Sequence, residues 1–147
     1  MKRGYFGIGI YHTKTEINVG TLWRSAHNFG ASFCFTIGRR YKRQSSDTTK
    51  AWRSIPLFHY ENFEDFKNHI PFDCPLIAIE QSPTSISINR FEHPERAIYM
   101  LGAEDHGIPL EVLLKCQRTV HIDTPMCLNV AVAGSIIMFD RQKRVAL

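Results

Sequence analysis

Three segments of this 147-residue chain combine residue types that could do chemistry. In the first, Asn18-Val19-Gly20-Thr21-Leu22-Trp23-Arg24, the residues Val19, Leu22, Trp23, Ala26 and Phe29 recur with the period of one helix face. Arg24 lies about 140° from Val19 at ~100° per residue, off that stripe. Gly20 falls one turn earlier on nearly the same side and leaves room for a ligand beside the guanidinium. An arginine so placed could also be an ordinary solvent-facing one. The second segment, Tyr99-Met100-Leu101-Gly102-Ala103-Glu104-Asp105-His106-Gly107-Ile108-Pro109, runs from an apolar strand into a loop bracketed by two glycines. Glycine there lets backbone amides and carbonyls approach a ligand closely. A turn with solvated acids is the alternative, and nothing in the spacing positions His106 as a base. The third runs from Ile122 through Asp123, Thr124, Pro125, Met126, Cys127 and Leu128 to Asn129, a natural helix N-cap. The helix beyond is apolar all round, with small Ala131, Ala133 and Gly134 among larger residues. A helix without a polar face is expected to be buried in a core or against a partner subunit.

The elements that must hold these segments alternate along the chain. Tyr5–Tyr11, 31–37, 55–58, 75–81, 97–101 and 118–122 read as strands, several of them continuously apolar. Between them, helices are expected over 19–29 (ending at Gly30), 61–69 with Phe63 and Phe66 inward, 109–116 and 129–141. Gly7 and Gly9 mark places where a neighbour could approach the first strand closely. Residues 38–50 are polar, basic and aperiodic, a loop. Uninterrupted apolar strands are those of a mostly parallel sheet covered by helices on both faces. The expectation is one α/β domain over residues 1–147, with no added RNA-binding domain.

Composition excludes several classes. Hydrophobic residues make up 44% and charged residues 22%, as in an average soluble protein. The apolar runs are far too short to span a membrane, and Gly7, Gly9, His12 and Lys14 interrupt any leader-like start. Cys34, Cys74, Cys116 and Cys127 stand far apart, which points to reduced thiols in a cytoplasmic protein. The histidines lack ligand spacing, so no metal is expected. Neither a dinucleotide fingerprint nor a phosphate-binding P-loop is present, nor a G-x-S-x-G elbow. Charge is divided unevenly: residues 1–53 carry a net +8 and residues 54–147 a net −4. A basic first third suggests a polyanionic partner met by one face.

In their order, N-x-G-x-x-x-R, apolar–G-x-E-x-x-G and I-x-x-P-x-x-L-N-V-x-V-A, the three segments resemble the motifs of the SPOUT superfamily of knotted RNA methyltransferases, in its SpoU/TrmH-type ribose 2′-O-methylating branch. The resemblance covers residues 5–140. It implies a parallel α/β sheet with a deep C-terminal trefoil knot, which ordinary chain topology strongly disfavours. It implies S-adenosylmethionine bound by three loops, at Ile79, at Gly102 and along the stretch from Ile122 to Leu128. Arg24 would be the catalytic arginine, supported by Asn18, Glu104 and Asn129, and the enzyme a homodimer with sites shared across the interface. Cys127 departs from the family's usual Ser before Leu-Asn, and Ala103 from a common Asn. Arg39-Arg40-Tyr41-Lys42-Arg43 sets an aromatic among four cations and suits RNA, with tRNA favoured and rRNA possible. The rival expectation is a non-catalytic RNA-binding or assembly protein that keeps the fold.

Overall fold

A computed structural model describes residues 4–38, 54–103 and 106–145. Seven strands form one sheet: β1 (Tyr5–Tyr11), β2 (Phe33–Ile37), β3 (Leu57–Tyr60), β4 (Leu76–Ile79), β5 (Ile86–Ser87), β6 (Arg96–Gly102) and β7 (Arg118–His121). The helices are α1 (Glu16–Asn28), α2 (Phe63–Lys67), α3 (Leu110–Leu113) and α4 (Val130–Val145). Strand order is β3-β2-β1-β6-β4-β7-β5, and every ladder is parallel.

The strands are apolar throughout because alternate side chains enter two separate cores. Phe6, Ile8 and Ile10 of β1 and Tyr99 and Leu101 of β6 meet α1 and α4 on one face. Phe33, Phe35 and Ile37 of β2 and Ile98 and Met100 of β6 meet α2 and α3 on the other. On this second face β1 presents only Gly7 and Gly9. A Cβ on Gly9 would stand 2.2 Å from the Phe35 carbonyl oxygen, and one on Gly7 2.4 Å from the Phe33 ring. The close approach expected of these glycines is thus made by two aromatic rings and a backbone oxygen.

α1 buries Val19, Leu22, Trp23 and Ala26, the stripe read from the sequence. Gly30 follows it at φ +81°, a left-handed position that suits glycine. α1 packs against α4 where Gly134 leaves space, since a Cβ there would lie 2.4 Å from Leu22 Cδ1.

Several boundaries move, each for a local reason. The strand expected at 55–58 is β3, two residues later. Pro56 has no N–H to donate to a ladder, and the Ile55 carbonyl is taken by Trp23 Nε1 at 3.0 Å. The helix expected at 61–69 is the single turn of α2, because Asn62 caps it by accepting the Asp65 N–H at 2.9 Å. The helix expected at 109–116 is reduced to α3. The last helix begins after its cap, Asn129, and continues to Val145. Two-residue β5 has no counterpart among the expected strands. No helix among the described residues is long and apolar enough to cross a membrane.

The position of β7 shapes one end of the sheet. Ile79 at the end of β4 and Ile86 at the start of β5 both pair with Val120. β5 therefore begins at the level where β4 ends, and residues 80–85 step sideways rather than back along the sheet. β7, later in the chain, lies in the slot that this earlier segment straddles.

Candidate functional site

The carboxyl ends of β4, β6 and β7 open together into a cavity of about 1060 Å³. Such a crevice beyond the strand ends is where open α/β sheets bind ligands. Each strand supplies one wall. Past β4 come Ile79, Glu80, Gln81 and Ser82; past β6 come Gly102, Ala103, His106 and Gly107; past β7 come His121 to Leu128, and Val130 and Ala133 of α4 close the floor. Leu110 and Leu113 of α3 add apolar surface.

The wall at Gly102 is a tight turn. The Gly107 N–H donates to the Ala103 carbonyl at 2.9 Å, and a Cβ on Gly102 would sit 2.8 Å from the Gly107 carbonyl carbon. Glu80 fastens this turn to β4. Its Oε2 accepts the Ile108 N–H at 2.8 Å and its Oε1 the Gln81 N–H at 3.1 Å. Gly107 has φ +61°, and a Cβ there would fall 2.4 Å from Glu80 Oε2, so the turn is shaped around the carboxylate.

The opposite wall is tied to residues 82–89. His121 hydrogen-bonds through Nδ1 with Ser85 Oγ at 2.8 Å and through Nε2 with Asp123 Oδ1 at 3.0 Å. Asp123 Oδ2 accepts from the Ser87 hydroxyl and, at 3.0 Å, from Asn89 Nδ2. The Ser87 bond foremost, with those from His121 and Asn89, holds the Asp123 carboxyl below its ordinary range. One polar atom is left over: Ser82 Oγ is buried without a partner. A buried hydroxyl without a partner is costly, and a ligand in this cavity could satisfy it.

All four residues assigned to the cofactor by resemblance, Ile79, Gly102, Ile122 and Leu128, line the cavity. Asn18 and Asn129, 111 positions apart, meet where α1 crosses the start of α4: Asn129 Nδ2 donates to Asn18 Oδ1 at 3.0 Å. Asn129 also caps α4, its Oδ1 accepting the N–H groups of Ala131 and Val132 at 2.9 and 3.3 Å. Arg24 stands exposed on α1 and is not among the residues lining the cavity of its own chain. Glu104 and the cluster Arg39, Arg40, Tyr41, Lys42 and Arg43 lie outside the described residues. Sequence reasoning misses Glu80, Ser82 and the His121–Asp123 pair. Their signal is present but faint: a polar residue immediately beyond a strand, and two polar residues at i and i+2 where another strand ends.

The profile of the SpoU rRNA methylase family matches residues 6–139. The chain belongs to this family. A curated relative, the mouse tRNA (guanosine(18)-2′-O)-methyltransferase TARBP1, is 23% identical over 144 residues, and the match spans 88% of the chain but only 9% of that protein. Among solved structures, the SpoU methyltransferase AviRb from Streptomyces viridochromogenes, in complex with S-adenosylmethionine, superposes with a TM-score of 0.86 at 16% identity, covering 97% of this chain and 58% of that one. An S-adenosylmethionine-bound rRNA methyltransferase from Sinorhizobium meliloti gives 0.82 at 22% identity over 95% and 56%. The TrmH/SpoU tRNA-modifying enzyme of A. aeolicus gives 0.82 at 18% identity over 99% and 79%. At these identities the likeness is one of fold: the family's α/β fold with a seven-stranded parallel sheet.

Proposed function

We propose that the protein transfers the methyl group of S-adenosylmethionine to a ribose 2′-hydroxyl of RNA, with tRNA the favoured substrate. One observation carries this reading. Ile79, Gly102, Ile122 and Leu128, drawn from three separate segments, converge on a single cavity at the strand ends. The residues present suit the cofactor: apolar walls for an adenine, a glycine turn presenting backbone groups, and an unsatisfied Ser82 hydroxyl. When bound, S-adenosylmethionine supplies an electrophilic methyl on a cationic sulfur.

The chain's own residues must do the rest. A ribose hydroxyl is a weak nucleophile until its proton departs, so the site has to stabilise charge growing on that oxygen. Guanidinium scarcely deprotonates, and Arg24 therefore acts as a bidentate clamp on the oxygen and a neighbouring phosphate, with a phosphate oxygen or water taking the proton. Asn18 and Asn129 brace the helix that carries it. Glu104 belongs to the same reading.

Because Arg24 does not line its own chain's cavity, we propose that it serves the cavity of a second copy in a two-fold homodimer. The exposed side of α4 supports this: Val132, Ile136 and Phe139 are 48%, 36% and 57% exposed and form an apolar groove with Thr21 of α1. Thr21 and Arg24 are neighbours on one helix face, so a copy seated in the groove would lie beside Arg24. A C-terminal trefoil knot belongs to the proposal too, supported by β7 occupying the slot straddled by residues 80–85. A reducing, cytoplasmic setting fits the four free cysteines.

The test is calorimetric titration with S-adenosylmethionine, followed by methyl transfer to bulk tRNA and a check for alkali-resistant dinucleotides, the mark of a 2′-O-methyl group. Binding and transfer are expected. Cofactor binding without transfer to any RNA would favour the non-catalytic reading, for which the exposed Cys127 at the cavity is the motive. For the RNA surface, neutralising Arg39, Arg40, Lys42 and Arg43 together should weaken binding and flatten its dependence on salt while cofactor affinity stays put. An unchanged slope of log affinity against log salt would place that surface elsewhere.

A further inference from the structure

The charged groups lining the cavity are unbalanced. They comprise two carboxylates, Glu80 and Asp123, and two imidazoles, His106 and His121; no lysine or arginine among the described residues joins them. The two acids are not equivalent. Asp123 is committed to three donors, one of them the His121 ring. Glu80 accepts only two neutral backbone N–H groups, one on each oxygen. A carboxylate offers about four lone-pair positions, so each oxygen retains capacity beyond these bonds. The turn at Gly107 is built to admit this side chain, since any Cβ there would collide with it.

S-adenosylmethionine bears a sulfonium and an ammonium against one carboxylate, a net charge of +1. Methyl transfer forms a C–O bond and breaks the S–CH3 bond, the electron pair staying on sulfur while the hydroxyl proton leaves. The thioether product is therefore neutral overall. We propose that Glu80 is a specificity-determining residue, whose fixed negative charge makes the cavity hold the cationic cofactor in preference to its neutral product S-adenosylhomocysteine. Transfer itself then weakens the hold on what remains in the cavity. This rests on the cofactor reading above, and adds a discrimination that a purely apolar and backbone site would lack.

The experiment measures both dissociation constants by calorimetry for the wild-type protein and for Glu80→Gln. The wild type should bind S-adenosylmethionine more tightly than S-adenosylhomocysteine, and the substitution should narrow that ratio by about fivefold, as expected for one charge acting through a partly solvated cavity. A role confined to bracing the Gly107 turn would weaken both ligands equally, and equal weakening would overturn the proposal. Should Glu80→Gln fail to fold, the wild type alone still decides. Raising salt from about 0.05 to 0.5 M screens the charge, so the ratio should shrink; a ratio indifferent to salt would overturn the proposal as well. A wild-type protein that binds neither ligand would remove the cofactor reading itself, an outcome distinct from binding both without preference.

Discussion

Arg24 shows how much a single side chain depends on what surrounds it. Its place on the exposed face of α1 leaves the guanidinium fork available to a ligand. Arg24→Ala is expected to lower methyl transfer by at least about 100-fold, the scale of losing one preorganised charge-stabilising donor, while the S-adenosylmethionine dissociation constant stays within about twofold. Arg24→Lys should be nearly as damaging, because an ammonium cannot reproduce two parallel hydrogen bonds. A fully active lysine variant would show that a point charge suffices. His93 carries a different prediction, about stability. Its ring is fully enclosed, with Nδ1 2.7 Å from Tyr99 Oη and Nε2 2.7 Å from Asp140 Oδ2. Arg141 donates to the same tyrosine oxygen at 3.1 Å. The protons close only around a neutral imidazole: Tyr99 donates to Nδ1, and Nε2–H donates to Asp140. Burial foremost, with Arg141 and Arg144 nearby, pushes the His93 pKa below its ordinary 6.5, against the pull of Asp140. Below pH 6.5 the unfolded chain then binds a proton that the folded chain refuses, so this stabilisation is complete above that pH and declines as pH falls through it. Urea denaturation at about pH 7.5 and pH 5.5 should show a loss that His93→Gln largely removes; an equal loss in the variant would assign it to other groups.

At the scale of elements, the central strand is the sensitive one. β1 pairs with β2 on one side and β6 on the other, and its two glycines admit the Phe33 and Phe35 rings. Gly9→Ala would push a methyl against the Phe35 carbonyl oxygen, a backbone atom held in the ladder that cannot swing aside as a side chain can. A destabilisation of about 3 kcal/mol or more is expected, at the upper end of overpacking. Gly30, with nothing within 4 Å of a built Cβ, suffers from its backbone conformation alone at φ +81°. Gly30→Ala should cost only about 1 kcal/mol. Thermal denaturation of the two variants side by side checks the ranking, and equal losses would mean that the β1–β2 contact relaxes more easily than the packing indicates.

The whole molecule raises the question of the second copy. α4 buries Val130, Ala131, Ile137, Met138 and Arg141 on one side yet leaves Val132, Ile136 and Phe139 uncovered, so one sheet does not shield a helix that is apolar all round. A two-fold pairing would bury the same patch on both copies and close the assembly at two. Mixing Arg24→Ala chains with Gly102→Val chains should then restore part of the activity that each has lost, because a mixed dimer regains one intact shared site. The valine at Gly102 would press on the Gly107 backbone and so deform the cofactor turn. Sedimentation showing a stable, active monomer would end the proposal. A dimer without complementation would return Arg24 to its own chain's site.

Local periodicity determined a good part of this protein. The alternation of strands and helices, the apolar stripe of α1 with Arg24 outside it, the Gly30 stop and the Asn129 cap all arise from interactions within a few residues along the chain. Family motifs further pointed to Ile79, Gly102, Ile122 and Leu128. Only the tertiary structure decided what faces those positions. β5 is two residues long and exists because β7 pairs with it, so no window of sequence could contain its cause. Glu80 gains its role because β4 and β6 are neighbours in the sheet, which brings the Ile108 N–H within 2.8 Å although the two residues are 28 apart in the chain. The meeting of Asn18 with Asn129, and of His121 with Ser85, has the same origin. In a parallel sheet the partners of a strand are set by crossover connections and shared packing on both faces, and those are properties of the assembled layers rather than of any segment.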